Sequence, residues 1–246
     1  LIIVQARLSS ARLPGKILKP FFNGKSILDL QFEALKALKL PFVLATTTNK
    51  ADDLLVEWAQ KNEVQFFRGS EHNVLQRFID CAEQHDAEFL IRICSDNPFI
   101  QTTDITGFLQ KLKAGVDYVS FSDYEGVPAI RKHWGLFVEG VSLKALKKAD
   151  ALLEDDESFY REHVTNFIYG HADKFDVELI PAVAEIIHRN DLRFTIDTEQ
   201  DFNNMQNLAT LVSQKEASSI KGLVDIVDAH QHFLKEMKEG IAKFNK

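Results

Sequence analysis

Residues 1–16 read LIIVQARLSSARLPGK. Four apolar residues followed by Gln5 suit a buried strand, Leu1–Gln5, and the polar stretch from Ser9 to Gly24, which holds Pro14 and Gly15, reads as a loop. Beyond the loop, Ser26 is placed as an N-cap with Asp29 three residues later, and Leu28, Phe32, Leu35 and Leu38 form a helical stripe. The same alternation then repeats. Apolar runs at Phe42–Ala45, Val64–Phe67 and Glu88–Ile93 are separated by helical stripes through Leu55, Trp58 and Ala59 and through Val74, Leu75, Phe78, Ile79 and Ala82. A further stripe through Ile105, Phe108, Leu109 and Leu112 precedes Asp117–Phe121. Strands that alternate with amphipathic helices predict parallel βαβ units and a sheet covered on both faces.

The regularity loosens from about 122 to 190, where short strands mix with helices near 142–150 and 158–170. We read 1–246 as one domain in which 122–190 forms a smaller insertion or subdomain. In Leu192–Asp197 the apolar Leu192, Phe194 and Ile196 alternate with Arg193, Thr195 and Asp197, a strand pattern. Thr198 then caps a helix through Phe202, Met205 and Leu208, with Asp201 at the capping-box position. A helix near 222–238 follows.

Composition narrows the function. Hydrophobic residues make up 45% and charged residues 26%, enough to build a globular core and too apolar for a disordered chain. No apolar run approaches the ~20 residues of a membrane span, and no apolar segment with a small-residue cleavage site follows the start; a cytoplasmic protein is the expectation. Cys81 and Cys94 form neither a disulfide framework nor a CxxC pair and read as buried thiols. The net charge of −7, from 29 basic and 36 acidic residues, argues against a broad nucleic-acid footprint. Yet residues 1–28 hold no Asp or Glu before Asp29 while carrying Arg7, Arg12, Lys16, Lys19 and Lys25, which suits a small polyanion.

In open α/β sheets ligands bind beyond the carboxyl ends of strands, near a change of strand order. The loop after the first strand offers backbone N–H groups and three cations to a phosphate chain. It is not a Walker A loop, because Ser10 stands five positions before Gly15 and Ile17 occupies the metal-binding Ser/Thr position, and it has one glycine where a dinucleotide fingerprint needs three. A solvated basic loop is the plainer reading. Asp96 follows another apolar strand, and Asp197 ends the Leu192–Asp197 pattern. Two carboxylates within ~4 Å repel by about 4 kcal/mol at an effective dielectric near 20, a cost that a divalent cation such as Mg2+ removes. Otherwise Asp96 caps the turn before Pro98, and Asp197 supports the next helix.

Several segments together resemble the cytidylyltransferase family, in the branch of spore-coat polysaccharide biosynthesis proteins related to the acylneuraminate and 3-deoxy-manno-octulosonate cytidylyltransferases. They are Gln5–Lys16, Thr46–Asn49, Phe67–Glu71, Ser95–Pro98, Arg161–Thr165 and Thr195–Thr198, in the family's order. The resemblance implies a three-layer α/β/α, Rossmann-like (nucleotide-diphospho-sugar transferase, glycosyltransferase-A-like) fold with a mostly parallel sheet. It implies transfer of CMP from CTP to an acidic sugar with Mg2+ as cofactor; a homodimer is common among such proteins. On this basis Arg7, Arg12 and Lys16 are catalytic residues holding the triphosphate, and Asp96 and Asp197 are the metal ligands. The implied nucleotide-binding set is Gln5, Ala6, Ser9, Thr46, Arg68, Gly69, Ser70, Arg77 and Ser95. Gly135, Glu139, Arg161, Glu162 and His163 fall on the acceptor side. The chain departs from the family at Asn97, where Cys is usual, and at Phe137, which stands where Gly-Leu-Asp-Val-Glu has its aspartate; the second departure leaves acceptor choice open.

Other residues have plainer readings. His230 and His232, two apart on one helix, face different directions and read as surface residues. The run Glu154–Glu157 reads as a solvated loop, and Trp134 as core packing rather than a sugar platform. Two rival functions use the same residues: another nucleotide-sugar enzyme of this fold, with a different NTP or as a glycosyltransferase, and a nucleotide-binding protein without acceptor chemistry.

Overall fold

The computed structural model describes residues 1–10, 12–154, 157–212 and 219–243. Its first strand, β1 (Ile2–Gln5), explains the layering. Ile2 and Val4 enter one apolar core with Leu28, Phe32, Leu55 and Phe108, while Ile3 enters another with Val43, Phe78 and Leu146. Successive side chains of a strand point to opposite faces, so an uninterrupted apolar run marks a strand covered on both sides.

β1 pairs in parallel with β4 (Phe42–Thr47) on one side and β6 (Phe89–Cys94) on the other, and β4 pairs in parallel with β5 (Phe66–Gly69). The chain runs outward through α1 (Ile27–Lys36), β4, α2 (Asp53–Lys61) and β5. It then returns through α3 (Val74–Gln84) to β6, across β1. The strand order therefore reverses between β1 and β6, where the carboxyl ends leave a crevice. Gln5 and Cys94 are register partners at that place. Beyond α4 (Ile105–Lys113), β7 (Tyr118–Ser122) and β8 (Glu139–Ser142) extend the sheet. β8 lies antiparallel to both β6 and β7, and β7 pairs in parallel with β9 (Val177–Pro181). The full order is β5-β4-β1-β6-β8-β7-β9. Residues 122–190 thus contribute β8 and β9 to the main sheet, along with α5 (Leu143–Leu152), α6 (Ser158–Glu162) and α7 (Asn166–Gly170).

Both expected capping boxes form, Ser26 with Asp29 at α1 and Thr198 with Asp201 at α8 (Glu199–Leu211). Four expectations are corrected. The loop to Gly24 contains β2 (Pro20–Phe22), which pairs with β3 (Lys25–Ser26) across Asn23 and Gly24. Both turn residues have positive φ, 48° and 76°, the conformation that an Asn-Gly hairpin favours. Leu192–Asp197 is extended but joins no ladder: Phe194 donates to the His133 carbonyl at 3.0 Å and Ile196 to the Asp96 carbonyl at 3.1 Å, two loops rather than one strand. The helix expected over 158–170 is split into α6 and α7. The one near 222–238 is two, α9 (Ile220–Ala229) and α10 (Gln231–Lys243), divided at His230. Within the run Glu154–Glu157, Asp155 and Asp156 lie outside the described residues.

A third core, with Trp134, Leu136, Phe194, Phe202, Leu223 and Phe233, packs α8, α9 and α10 against the extended 192–197 segment. Trp134 is 1% exposed and donates its indole N–H to the Arg189 carbonyl at 2.8 Å, so it is core. Among the described residues no helix is long and apolar enough to cross a membrane.

Candidate active site

The loop after β1 is shaped by apolar anchors and backbone bonds. Leu8, Leu13 and Ile17 are buried. The Gly15 N–H donates to the Leu8 carbonyl at 3.2 Å, and Gly15 itself adopts φ +69°, a left-handed turn that glycine makes without strain. The fold-back sends Lys16 toward the crevice between β1 and β6. Gln5, Arg7, Arg12, Lys16, Ser95 and the two aspartates surround a cavity of about 400 Å³ there.

Asp96 and Asp197, 101 positions apart in sequence, meet at Lys16. Its ammonium lies 3.3 Å from Asp96 Oδ2 and 4.0 Å from Asp197 Oδ1, and donates to the Ile196 carbonyl. Arg12 donates to Asp197 Oδ1 at 2.9 Å. The backbone bond from Ile196 to Asp96 ties the two segments together. Carboxylates that share one ammonium ion form a place where a cation is electrostatically favoured. Among the described residues no group of three or more His, Cys, Asp or Glu side chains could hold a metal ion. Two carboxylates supply hard oxygen donors and leave the other positions to water and phosphate, a donor set that fits Mg2+.

The remaining nucleotide-side candidates gather at the carboxyl ends of β4 and β5. Thr46 is fully buried, and its hydroxyl has no hydrogen-bond partner. Arg77 is buried too; one Nη donates to the Ser70 carbonyl at 2.9 Å, while Nε and Nη2 have no hydrogen-bond partner. Burial above all, with the charge of Arg7 next, pushes its guanidinium down to about 10, so it stays charged at neutral pH. A Cβ on Gly69 would stand 2.8 Å from Arg77 Cγ and 2.9 Å from Phe67 Cε1, so this position must be glycine for Arg77 to pack. Ser70 accepts from the Asn73 N–H at 2.9 Å. Arg68 pairs with Asp53 at 2.7 Å and donates to the Thr47 and Asn49 carbonyls. Ser9 donates to Glu71 at 3.1 Å, Gln5 accepts from Arg92 at 3.3 Å, and the Ala6 N–H is committed to the Ala45 carbonyl. Cys94, expected buried, is half-exposed at the cavity wall, whereas Cys81 is buried.

The acceptor-side candidates do not form one cluster. Glu162 reaches Arg7, which lines the cavity, at 3.2 Å. Arg161 turns to Asp150 at 2.7 Å, and the His163 ring lies 4.5 Å from that of Phe159. Glu139 is 3% exposed, paired with Arg92 at 2.5 Å and bonded to the Tyr118 and Thr165 hydroxyls. Gly135 has φ +59° and backs onto Thr195 and Asn97. Phe137 packs on Phe121 at 4.8 Å and on Trp134 at 5.8 Å between ring centres.

Three residues that hold the site were given no role in it from the sequence. Asp52, fully buried, accepts from the Leu8 N–H at 2.7 Å and from the Thr47 hydroxyl. Arg92 links Gln5 to Glu139, and Arg193 holds Asp197 at 2.7 Å. The one local sign was a cation inside each apolar strand pattern, at Arg92 and Arg193; Asp52 had none.

Known proteins share this architecture. The chain is similar to the cytidylyltransferase of Leptospira borgpetersenii, with a TM-score of 0.77, 26% identity and 95% of each chain covered. It is also similar to a structure of CMP:2-keto-3-deoxy-manno-octonic acid synthetase complexed with CTP, with a TM-score of 0.61, 16% identity, and 85% of this chain and 98% of that one covered; this likeness concerns the fold. In sequence it is 29% identical to the spore coat polysaccharide biosynthesis protein SpsF of Bacillus subtilis over 93% of both chains. It is 33% identical to an uncharacterized protein of Methanocaldococcus jannaschii over 81% of this chain and 79% of that one. A family model described as Cytidylyltransferase matches residues 1–235. A match of that extent makes the chain a nucleotidyltransferase belonging to the cytidylyltransferase family.

Proposed function

We propose that this enzyme transfers CMP from CTP to an acidic sugar of the nonulosonic or octulosonic type, with Mg2+ as cofactor, for the synthesis of a surface polysaccharide. The observation that carries the reading is the convergence of Asp96 and Asp197 on Lys16 beside the basic loop. The polysaccharide role of the Bacillus relative and the CTP complex of the octonic acid synthetase support the choice of substrates.

Arg7, Arg12 and Lys16 supply charge to a triphosphate lying in the 400 Å³ cavity. The sugar hydroxyl oxygen bonds to the α-phosphorus, the bridging P–O bond to the β-phosphorus breaks, and pyrophosphate leaves; the hydroxyl proton passes to solvent. No side chain needs to act as a nucleophile, so the protein's share is positioning and charge neutralisation. Asp96 and Asp197 are the residues that would hold Mg2+, whose positive charge falls on the phosphate oxygens when it is bound. Arg12 and Lys16 carry the charge that the departing pyrophosphate meets.

The test is a pyrophosphate-release screen of CTP, UTP, ATP and GTP against octulosonic and nonulosonic acids, run on the wild type and on Asp96→Ala. We expect CTP-dependent release and a loss of roughly 100-fold or more in the variant. No release with any acidic sugar, or unchanged turnover in Asp96→Ala, refutes the reading.

A further inference from the structure

Asp197 is gripped from behind. Its Oδ1 faces the cavity, toward Arg12 at 2.9 Å and Lys16 at 4.0 Å, while Oδ2 accepts from Arg193 Nη2 at 2.7 Å. The Arg193 side chain is 1% exposed and hydrogen-bonds to Asp197, Asp201 and His133. Besides Asp197, it donates from Nε and Nη2 to the two oxygens of Asp201 at 2.8 and 3.0 Å, and from Nη1 to His133 Nδ1. A guanidinium only donates, so His133 accepts at Nδ1.

Three features make this more than a surface ion pair. First, Asp201 engages Arg193 in a two-pronged contact and offsets its charge, so Arg193 can turn Asp197 while leaving the negative charge of Asp197 to the cavity. Second, Asp201 also accepts from the Asp197 N–H at 3.0 Å and the Thr198 N–H at 2.9 Å, which fixes the backbone on which Asp197 is carried. Third, α10 closes over the guanidinium at a glycine. A Cβ on Gly240 would stand 3.0 Å from Arg193 Cδ, 3.1 Å from Nε and 3.2 Å from Asp201 Oδ1. Glycine inside a helix costs roughly 0.5–1 kcal/mol relative to alanine, and here it gives the backbone room to cover the cluster. The terminal torsion of an aspartate is soft and roughly two-fold, so an unheld carboxylate turns either oxygen, or neither, toward the cavity.

We propose that Arg193, clamped by Asp201 and roofed by Gly240, is a positioning residue that fixes Asp197 with Oδ1 presented to the cavity as a ligand for a divalent cation. The inference rests on the reading of Asp96 and Asp197 as the metal ligands. Lysine at 193 keeps the charge but lacks the planar fork, and cannot span Asp197, Asp201 and His133 together.

The experiment measures Mn2+ binding by electron paramagnetic resonance with and without CTP, in the wild type, Arg193→Lys and Gly240→Ala, with thermal unfolding as a control for folding. In folded Arg193→Lys the Mn2+ affinity in the presence of CTP is expected to fall ~10-fold or more, the usual scale for loss of a group that orients a metal ligand. The Mg2+ concentration for half-maximal pyrophosphate release should rise by a similar factor, and metal-free CTP binding should stay unchanged. Gly240→Ala, which retains every charge, should show a smaller loss in the same direction, and it decides the matter if Arg193→Lys does not fold. A lowered unfolding temperature with wild-type Mn2+ affinity overturns the proposal. A wild type that binds no Mn2+ even with CTP overturns both this proposal and the reading of the metal ligands beneath it.

Discussion

Asp52 tests whether the basic loop is built or merely exposed chain. Its carboxylate is fully buried, with Oδ1 accepting from the Leu8 N–H at 2.7 Å and Oδ2 from the Thr47 hydroxyl. Asp52→Ala leaves two buried donors without an acceptor, at ~1–3 kcal/mol each, and removes packed atoms besides. The expected destabilisation is about 3–5 kcal/mol. Asp52→Asn keeps an oxygen for Leu8 and turns its amide toward the Thr47 oxygen, which already accepts from the Asn49 N–H at 3.1 Å and has a second lone pair. The Leu8 bond survives, while the Thr47 hydroxyl proton loses its acceptor and charge assistance is lost, which sets the cost at about 1–3 kcal/mol, below that of the alanine variant. Because Leu8 follows Arg7 directly and precedes Arg12 by four positions, the alanine variant should also loosen the cations, lowering kcat/KM for CTP on the order of 10–100-fold. Urea unfolding and pyrophosphate release on both variants provide the assay. An alanine variant within ~1 kcal/mol of the wild type, or one with wild-type kcat/KM, refutes the argument that this carboxylate holds the loop.

Two further predictions concern protonation. Burial pushes the Asp29 carboxyl up, but hydrogen bonds from the Ser26 hydroxyl and N–H and from the Trp58 indole outweigh it and hold the group below its ordinary range. A carboxyl depressed in the folded state contributes stability that is complete above the unfolded pKa of about 3.9 and is lost as pH falls through the folded value. The stability gap between wild type and Asp29→Asn should therefore be wider at neutral pH than in acid, measured by urea unfolding with tryptophan fluorescence; a gap that widens in acid contradicts it. Burial, only partly offset by Arg77, pushes the Cys81 thiol up to about 12, so roughly one molecule in 10⁴ carries the thiolate at pH 8. Iodoacetamide should leave Cys81 unmodified until urea is added, as read by mass spectrometry, and equal rates with and without urea would count against its burial.

Local signals were the legible ones. Ser26 with Asp29 and Thr198 with Asp201 act across three residues, within reach of one helical turn, and both boxes form. The apolar run of β1 identified a strand covered on both faces, and the positions past β1 and β6 located the crevice. The Asn23-Gly24 turn was present in the sequence, yet the polar residues around it concealed a hairpin only two to three residues long on each side. The alternation in Leu192–Asp197 set Leu192, Phe194 and Ile196 on one side, and they are core, but the polar residues between them, Arg193 and Thr195, are buried as well. Asp201, His133 and α10 cover Arg193, and Gly135 backs onto Thr195. Arg68 and Arg161, which the resemblance sets on the nucleotide and acceptor sides, show what no local pattern could give: their ion-pair partners are Asp53 and Asp150.

Sequence alone determined the alternating elements, their caps, and the placing of the loop cations and of Asp96 just beyond strand ends. Those follow from backbone geometry, whose periods of two and 3.6 residues are written into neighbouring positions. Tertiary structure decided which of those groups meet. The Asp52 carboxylate finds Leu8 across 44 positions, and Arg12 finds Asp197 across 185. Which oxygen of Asp197 faces the cavity depends on a buried arginine and on a glycine in a helix 43 positions further along. Such pairings arise only when separately formed elements pack, since burial turns a solvated charge into one that must find a partner.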